Sequence, residues 1–372
     1  MKIVEVITQL TSGGAERFVV DLCNELSKKS DVTLIVIRPI EKYGFYASKI
    51  SSKVNVLSMN KCDKLEMSIF FNIRKEIRKM APDVVHLHLG AIIYSLFAIL
   101  TLRHLKFFYT VHNDADKDAK NRFGSFIRWL CFRLKLVSPI TISKKSHQSF
   151  VDYYKMDASM IFNGRNIPQN IKVSPDIEKE FEKYHIDTTT RVLVCLARIT
   201  QVKRQVMFTK IAKKLSHEGY NFTVLFIGST KDTALVEKIK SYNCPNIHIL
   251  GEKSNPLEYL KMSDAFCLSS LHEGLPISLI EAIGVGTIPV CTPVGGIVDV
   301  IENDVNGLLS NNLSEDSYYD VLKKFLSLSE SKLSELKEEA SKSYAPFSMT
   351  ECAYKYFQLF SKEIKNDNKE KI

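Results

Sequence analysis

Short apolar runs rich in valine and isoleucine alternate with helix-compatible segments along almost the whole of this chain. Residues 2–8 begin the pattern as a strand, and residues 11–14 follow as a turn. Phe18, Leu22 and Leu26 then repeat every four residues along one helical face. Strands that are apolar on both faces are typical of a parallel sheet covered by helices on each side. The alternation therefore predicts a doubly wound α/β fold.

The predicted strands fall into two series separated by a polar stretch, residues 166–190. A chain of 372 residues exceeds what one hydrophobic core usually fills, so we expect two Rossmann-like domains. We place the first at residues 1–167, the second at 168–347, a C-terminal helix that rejoins the first at 348–365, and a polar tail at 366–372. The predicted strands are residues 2–8, 31–37, 83–87, 107–111 and 140–142, then 191–197, 222–227, 246–250, 265–269 and 287–291.

The net charge of +9 comes from lysines and arginines that accompany nearly every predicted helix. No segment carries the dense basic block typical of nucleic-acid-binding proteins, so we expect no nucleic-acid partner. Such diffuse charge favours anions in general, including phosphorylated ligands and anionic lipid. The eight cysteines form no CxxC pair, and the N-terminus begins on a strand pattern without a secretory signal. We therefore expect a cytoplasmic protein in a reducing setting.

The strongest chemical signal is residues 269–282, which contain Glu273 and Glu281. Gly274 and Pro276 exclude one continuous helix through both carboxylates. Glu273 is therefore predicted in the loop after a strand, and Glu281 in the helix that follows. A loop carboxylate can accept hydrogen bonds from sugar hydroxyls, the helix N-terminus can face a diphosphate, and Glu281 can hold a ribose diol. Taken alone, the pattern fits equally an ordinary turn followed by an amphipathic helix.

Two cations, Arg198 and Lys203, come directly after the first predicted strand of the second domain. Ligands of doubly wound sheets bind at the carboxyl ends of the strands. Arg198 can bind two phosphate oxygens at once, and Lys203 can add a point charge. Together they would stabilise a departing diphosphate as negative charge develops on it. The alternative is that both are surface cations of a basic protein.

In order and spacing, these blocks resemble those of retaining GT-B glycosyltransferases of the GT4 family. The similarity covers most of the chain. The matching blocks are Arg198 with Lys203, Glu273-Gly274-Leu275-Pro276, Glu281-Ala282, and residues 286–290 and 294–296, together with residues 13–16, 111–113, 142–144 and 162–164 of the first half.

The resemblance implies two Rossmann-like domains that face each other across a cleft. It implies a retaining transfer of a hexose or N-acetylhexosamine from a nucleotide-diphosphate sugar, with a UDP-sugar favoured, to a glycan or lipid-linked oligosaccharide in polysaccharide biosynthesis. No cofactor or metal is expected. The implied catalytic residues are Glu273, Arg198, Lys203 and His112, and the implied donor-binding residues are Gly13, Gly14, Arg198, Lys203, Gly251, Glu252, Glu273, Gly274, Leu275, Pro276 and Glu281.

Three other features leave alternatives open. His86 and His88 alternate with Leu87 at a strand end, and because the sequence shows no third ligand, a metal pair is disfavoured. Acidic residues 114–118 superficially resemble a DxD metal motif, but we interpret them as a solvated loop. Residues 122–135 mix bulky apolar side chains with cations, which fits either a helix on an anionic bilayer or one packed on the sheet.

Other activities remain to be distinguished. The turn at Gly13 and Gly14 lacks the GxGxxG of a dinucleotide site, which disfavours a nicotinamide dehydrogenase. A sugar-nucleotide 2-epimerase of similar fold and a non-catalytic nucleotide-sugar-binding protein are the alternatives to a transferase.

Overall fold

Two parallel sheets form the cores of two compact units in the computed structural model, which describes residues 1–61, 66–113, 115, 122–184, 187 and 189–370. The first unit comprises residues 1–166 and 346–372, and the second comprises residues 167–345. Each sheet carries helices between successive strands, so the predicted doubly wound α/β architecture is confirmed.

The first unit holds a seven-stranded sheet in the order β3-β2-β1-β4-β5-β6-β7. Its strands are β1 (Lys2–Ile7), β2 (Asp31–Val36), β3 (Val54–Ser58), β4 (Val84–His88), β5 (Lys106–Val111), β6 (Ser138–Thr141) and β7 (Ser159–Met160). Its helices are α1 (Gly14–Leu26), α2 (Ile40–Tyr43), α3 (Ser68–Met80), α4 (Ala91–Tyr94), α5 (Leu96–Thr101), α6 (Arg122–Arg133), α7 (Lys144–Tyr154) and, after the second unit, α15 (Met349–Glu370).

The second unit holds a six-stranded sheet in the order β10-β9-β8-β11-β12-β13. Its strands are β8 (Arg191–Leu196), β9 (Phe222–Ile227), β10 (Ile247–Gly251), β11 (Ala265–Leu268), β12 (Ile288–Cys291) and β13 (Leu308–Leu309). Its helices are α8 (Pro175–Phe181), α9 (Gln205–His217), α10 (Thr233–Lys240), α11 (Pro256–Met262), α12 (Ile277–Gly284), α13 (Glu315–Leu326) and α14 (Glu330–Lys342). Short 3₁₀ turns lie at Ala47–Lys49, Gln201–Lys203, Gly295–Asp299 and Ala345–Phe347.

The last helix, α15, returns the chain to the first unit. Cys352, Tyr356 and Phe360, the residues whose spacing predicted a helix, are buried. The Phe360 ring lies 4.7 Å from that of Phe108 on β5, between ring centroids. Burial of this aromatic face stabilises the helix, since helices in proteins depend chiefly on the packing of an apolar face. The helix continues to Glu370, although a polar tail was expected from residue 366.

Three strands were not predicted, namely β3, β7 and β13. Only Val54 of β3 is buried, and β7 and β13 are two residues each, so none has the continuous apolar run that identifies a central parallel strand. The strands predicted from continuous apolar runs are all present, with ends shifted by at most two residues. Among the described helices, none combines the length and apolar character needed to cross a membrane.

Candidate active site

β8 and β11 pair in parallel in the second unit, so their carboxyl ends are neighbours. The strand order of the sheet reverses direction between these two strands, which makes this position a topological switch point. Ligands of doubly wound folds bind at such a switch point. Two loops leave the sheet here. The β8 loop (residues 197–204) contains Arg198 and Lys203, and the β11 loop (residues 269–276) contains Glu273.

Hydrogen bonds tie these two loops together. The hydroxyl of Ser269 donates to the carbonyl of Lys203 at 2.9 Å, and the amide of Leu271 donates to the carbonyl of Val202 at 2.8 Å. The ammonium of Lys203 then forms an ion pair with Oε1 of Glu273. The Lys203 and Glu273 side chains are 20% and 9% exposed, so the pair is partly withdrawn from water yet reachable by a ligand.

The carboxylate of Glu273 is oriented by a second donor. Ser270 Oγ donates to the same Oε1 at 2.6 Å, and the carbonyl of Ser270 accepts from Thr292 Oγ1 at 2.7 Å. Oε2 makes no hydrogen bond with any residue that the structure describes. One oxygen is thus fixed by the protein while the other remains able to accept a hydrogen bond from a ligand.

A glycine contact supports the backbone of the β11 loop. Gly295 adopts φ +53°, and a Cβ at this position would lie 1.8 Å from the carbonyl oxygen of Glu273. The amide of Gly296 donates to the carbonyl of Gly274 at 2.5 Å. Only glycine permits this close approach of two backbones. The contact therefore helps to fix the position of the Glu273 backbone.

Arg198 lies at the start of the β8 loop with its side chain exposed. Its carbonyl accepts from Nε2 of the buried Gln205 at 2.9 Å, and Gly228 packs against the preceding residue, where a Cβ would lie 2.3 Å from the carbonyl of Ala197. The Arg198 guanidinium forms no hydrogen bond or ion pair within the part of the chain that the structure describes. Its backbone is therefore held while its charge stays available to an anion.

The other predicted donor-site residues of this unit lie at or after the carboxyl ends of β10 and β11. Pro276 caps α12, which begins at Ile277 as predicted, and Glu281 is buried one turn further along. Gly274, Leu275 and Pro276, at the end of the β11 loop, are buried. Gly251 ends β10 at φ +68°, and its carbonyl accepts from the amide of Gly228 at 2.8 Å. Glu252, which follows, is exposed.

In the first unit, the remaining predicted residues follow β1 and β5. Gly13 caps α1 and Gly14 begins it. A Cβ at Gly13 would lie 2.1 Å from Oε2 of Glu16, and Oε1 of the same carboxylate accepts a hydrogen bond from Thr11 Oγ1 at 2.9 Å. His112 follows β5, with only 8% of its surface exposed.

His112 is the outer member of a buried hydrogen-bonded chain that the sequence did not reveal. Its Nε2 lies 3.1 Å from Nδ1 of His88, and Nε2 of His88 lies 2.7 Å from Oε2 of Glu5. The same oxygen is 2.9 Å from Nδ1 of His86. The sequence showed no third ligand beside His86 and His88, and for that reason a metal site was disfavoured. The structure places Glu5 there, and the three residues offer ligand atoms within 4.8 Å of one another. The one feature of the sequence that could have indicated this cluster is a glutamate inside the apolar run of β1.

Burial and mutual contact shift the pKa values of these groups. Burial alone would raise the pKa of Glu5, but the charges and hydrogen bonds of His86 and His88 outweigh it and lower the pKa to about 2. Burial, assisted by His86, lowers the pKa of His88 to about 4 against the opposing effect of Glu5. Burial also holds the pKa of His112 well below its usual range. At neutral pH, Glu5 is therefore ionised and both His88 and His112 are neutral.

Two sequence features fall wholly or partly outside the described residues. Of the acidic stretch at 114–118, only Ala115 is described, so the DxD-like interpretation is not addressed. Helix α6 covers residues 122–133, and its side chains are described from Gly124 onward.

The two parallel sheets with their covering helices define a GT-B fold, and comparisons with known proteins agree. A family model described as glycosyl transferases group 1 matches residues 176–343, and one described as glycosyltransferase family 4 matches residues 12–169. Together they span most of the chain. The chain therefore belongs to the GT4-type glycosyltransferases.

Relatives of known name cover most of its length. It is 25% identical over 319 residues to a GalNAc-α-(1→4)-GalNAc-α-(1→3)-diNAcBac-PP-undecaprenol α-1,4-N-acetyl-D-galactosaminyltransferase of Campylobacter jejuni, covering 83% of this chain and 84% of that one. It is 25% identical to the capsular polysaccharide biosynthesis glycosyltransferase CapH of Staphylococcus aureus, covering 76% and 78%. Anabaena HepE, solved with UDP and glucose, has the same fold, with a TM-score of 0.80, 16% identity and coverage of 97% and 99%.

Proposed function

We propose that this glycosyltransferase moves a hexose or N-acetylhexosamine from a UDP-sugar to a glycan or lipid-linked oligosaccharide, with retention of anomeric configuration. The observation that carries the proposal is the switch point of the second unit, where Arg198, Lys203 and Glu273 converge on one edge of the sheet. The two cations can stabilise a negatively charged leaving group, and the oriented carboxylate can bind the sugar attached to it.

Lys203 and Arg198 act on the donor diphosphate. When the bond between the anomeric carbon and the diphosphate oxygen breaks, negative charge builds on the leaving group. Arg198 offers a planar set of N–H donors to phosphate oxygens, and Lys203 offers a compact charge held by the β11 loop. These two cations supply charge stabilisation that requires no metal in the proposed reaction.

Glu273 orients the transferred sugar. Its Oε1 accepts hydrogen bonds from Lys203 and Ser270, and these two donors fix the orientation of the carboxylate. Oε2 then accepts a hydrogen bond from a sugar hydroxyl. Because Lys203 contacts Glu273 and would contact the diphosphate, sugar and leaving group are positioned by one connected set of side chains. Glu281, one turn into α12, holds the ribose diol, and the loop at Gly251 and Glu252 lies against the base.

Without an enzymic nucleophile, retention requires the acceptor to attack from the face that the diphosphate leaves. The departing diphosphate accepts the proton of the acceptor hydroxyl, so carbon-oxygen cleavage, carbon-oxygen formation and proton transfer balance without an enzymic nucleophile. In this proposal His112 contacts the sugar and the acceptor, and Gly13 and Gly14 allow a close approach of the backbone to them. The named relatives that act on undecaprenol-linked glycans or in capsule synthesis support a lipid-linked or polysaccharide acceptor, as in capsule or lipopolysaccharide assembly.

A donor screen tests this function. Purified protein is incubated with UDP-, GDP- and dTDP-sugars, and thermal stabilisation is measured, since a ligand at 100 times its Kd stabilises the folded state by about 2.7 kcal/mol. We expect stabilisation by UDP-hexoses or UDP-N-acetylhexosamines and, with a diphosphoundecaprenol-linked acceptor, a product whose anomeric configuration by NMR matches the donor.

Two results would contradict the proposal. An epimerised nucleotide sugar formed without acceptor would identify the 2-epimerase. Saturable binding with neither transfer nor slow donor hydrolysis, across all acceptors tried, would identify a binding protein.

We further propose that α6 rests on the inner face of the cytoplasmic membrane, where a lipid-linked acceptor is found. Phe126 and Trp129 are 58% and 39% exposed, and their rings stack with centroids 6.0 Å apart. Leu134 is exposed between the exposed cations Arg133 and Lys135. Apolar side chains bordered by basic ones are typical of helices that lie on anionic bilayers.

The double substitution Phe126→Glu with Trp129→Glu is expected to weaken binding to phosphatidylglycerol vesicles at least tenfold, because it removes apolar contact and adds repulsion. Vesicle co-sedimentation measures the effect. Val305→Glu is a matched control, because Val305 is 39% exposed and lies in the second unit. Equal loss in both proteins, or wild-type binding that is no stronger to phosphatidylglycerol than to phosphatidylcholine, would contradict the membrane assignment.

A further inference from the structure

A chain of side chains runs through the first unit from α15 to His112. Tyr356 OH lies 2.9 Å from Thr110 Oγ1, which lies 2.8 Å from Nε2 of His86. The chain continues through Oε2 of Glu5, at 2.9 Å from His86 Nδ1 and 2.7 Å from His88 Nε2. It ends at Nε2 of His112, which is 3.1 Å from Nδ1 of His88. Every member except His112 is fully buried.

The ionised carboxylate of Glu5 sets the direction of these hydrogen bonds. A carboxylate can only accept, so the nitrogen of His88 that faces it, Nε2, carries the proton. Because neutral His88 has one N–H, its Nδ1 must be an acceptor, and the nitrogen of His112 that faces Nδ1 must carry a proton. His112, itself neutral, is left with an unprotonated Nδ1 that can accept a hydrogen bond.

On the other side of Glu5, His86 Nδ1 lies 2.9 Å from Oε2 but is poorly aligned for a hydrogen bond, so this contact is mainly electrostatic. His86 Nε2 lies 2.8 Å from Thr110 Oγ1, and Thr110 Oγ1 lies 2.9 Å from Tyr356 OH, which links the chain to α15.

Packing fixes the His112 ring in the same arrangement. The ring of Phe18 on α1 meets His112 edge-on at 5.7 Å between centroids and meets His88 at 6.4 Å. Phe18 is fully buried, so the two imidazoles cannot rotate without disturbing the core. The orientation and tautomer of His112 are therefore determined together.

Hydrogen bonding accounts for these distances better than a metal ion. Two ligands bound to one tetrahedral zinc at about 2.0–2.1 Å are separated by about 3.3 Å. The separations of 2.7 and 2.9 Å between Glu5 Oε2 and the two imidazoles are those of direct N–H···O contacts.

We propose that Glu5 is a positioning residue which, through His88, holds His112 in the tautomer with Nε2 protonated and Nδ1 bare, so that His112 accepts a hydrogen bond from a hydroxyl of the donor sugar or the acceptor. The proposal rests on the transferase function given above. The hydroxyl bonded to Nδ1 is one that does not react, because its only proton is held by His112, so His112 orients the sugar that carries it while the proton of the attacking acceptor hydroxyl goes to the departing diphosphate. Buried groups that fix a histidine tautomer in this way strongly affect activity in other enzymes.

The tautomer is measured directly from the nitrogen resonances of ¹⁵N-labelled imidazoles at neutral pH, with His112→Gln used to assign the signals. We expect a pyrrole-like Nε2 and a pyridine-like Nδ1 for His112 in the wild-type protein. Glu5→Met removes the acceptor, so the His112 signals should change to those of mixed or reversed tautomers. This measurement needs no donor, so it tests the relay even if the wild-type protein transfers no sugar.

A double-mutant cycle gives the kinetic test. Glu5→Met is expected to lower kcat for transfer at least tenfold with little change in donor KM, yet to lower it less than twofold in a His112→Ala background. Tyr356→Phe is the matched control. It removes a buried hydrogen bond at the far end of the chain, so Tm falls while kcat and the His112 signals stay unchanged.

Several outcomes would overturn the proposal. These are a protonated Nδ1 on wild-type His112, unchanged His112 signals in Glu5→Met, equal losses from Glu5→Met with and without His112, and a stoichiometric metal in the purified wild-type protein. The wild-type spectrum decides the question even if Glu5→Met does not fold.

Discussion

Lys203→Met and Glu273→Gln each lower kcat/KM for sugar transfer by about 10²–10³, the loss typical of removing one group that stabilises developing charge in a water-poor site. Lys203 contacts Glu273, so either substitution removes a charge and disturbs its neighbour. Arg198→Ala should act in the same direction, because its exposed guanidinium is free to contact phosphate. Steady-state kinetics with the donor identified by the screen measures these effects.

A matched lysine separates this effect from the loss of a surface charge. Lys210→Met removes an exposed lysine of the same unit, whose ammonium lies 3.8 Å from Glu315, and should leave kcat/KM within twofold of wild type. Glu281→Gln should chiefly raise the donor KM, since it contacts the ribose rather than the reacting bond. Unchanged turnover in the double variant Arg198→Ala with Lys203→Ala would exclude these cations as the diphosphate site.

Gly295→Ala is expected to cost several kcal/mol of stability and nearly all transfer activity. The added Cβ would lie 1.8 Å from the carbonyl oxygen of Glu273, which is far inside van der Waals contact. Alanine at φ +53° adds about 1–2 kcal/mol of backbone strain. Relief requires the β11 loop to move, and a displacement of 1 Å at Glu273 is enough to reduce turnover about 100-fold. Thermal melting and transfer rates report the two losses.

Gly219→Ala isolates the contribution of the backbone. Gly219 also has a positive φ, +89°, but a Cβ there meets no atom within 4 Å. This variant should lose only about 1 kcal/mol and keep full kcat. If Gly295→Ala resembled it in both stability and activity, the close backbone contact would have no role in positioning Glu273.

The sequence by itself predicted the class of fold, because central parallel strands are buried on both faces and need continuous apolar runs. β1, β4 and β8 carry that pattern, whereas β3 has one buried residue and β13 is two residues long, so no local signal distinguished β3 and β13 from loops. Gly274 and Pro276 likewise located the start of α12 correctly, since both exclude the preceding residues from a helix.

The positions of Arg198, Lys203 and Glu273 at strand ends were predictable, but which strand ends adjoin was not. Strand order is fixed by packing across the sheet, and only the pairing of β8 with β11 brings Lys203 against Glu273. The role of Glu5 is the clearest case. It is 81 residues from His86 in the chain, and only the pairing of β1 with β4 makes them partners. Local sequence therefore determined the strands and their terminal side chains, and tertiary structure decided the neighbours, because contacts between distant residues depend on the order in which strands assemble.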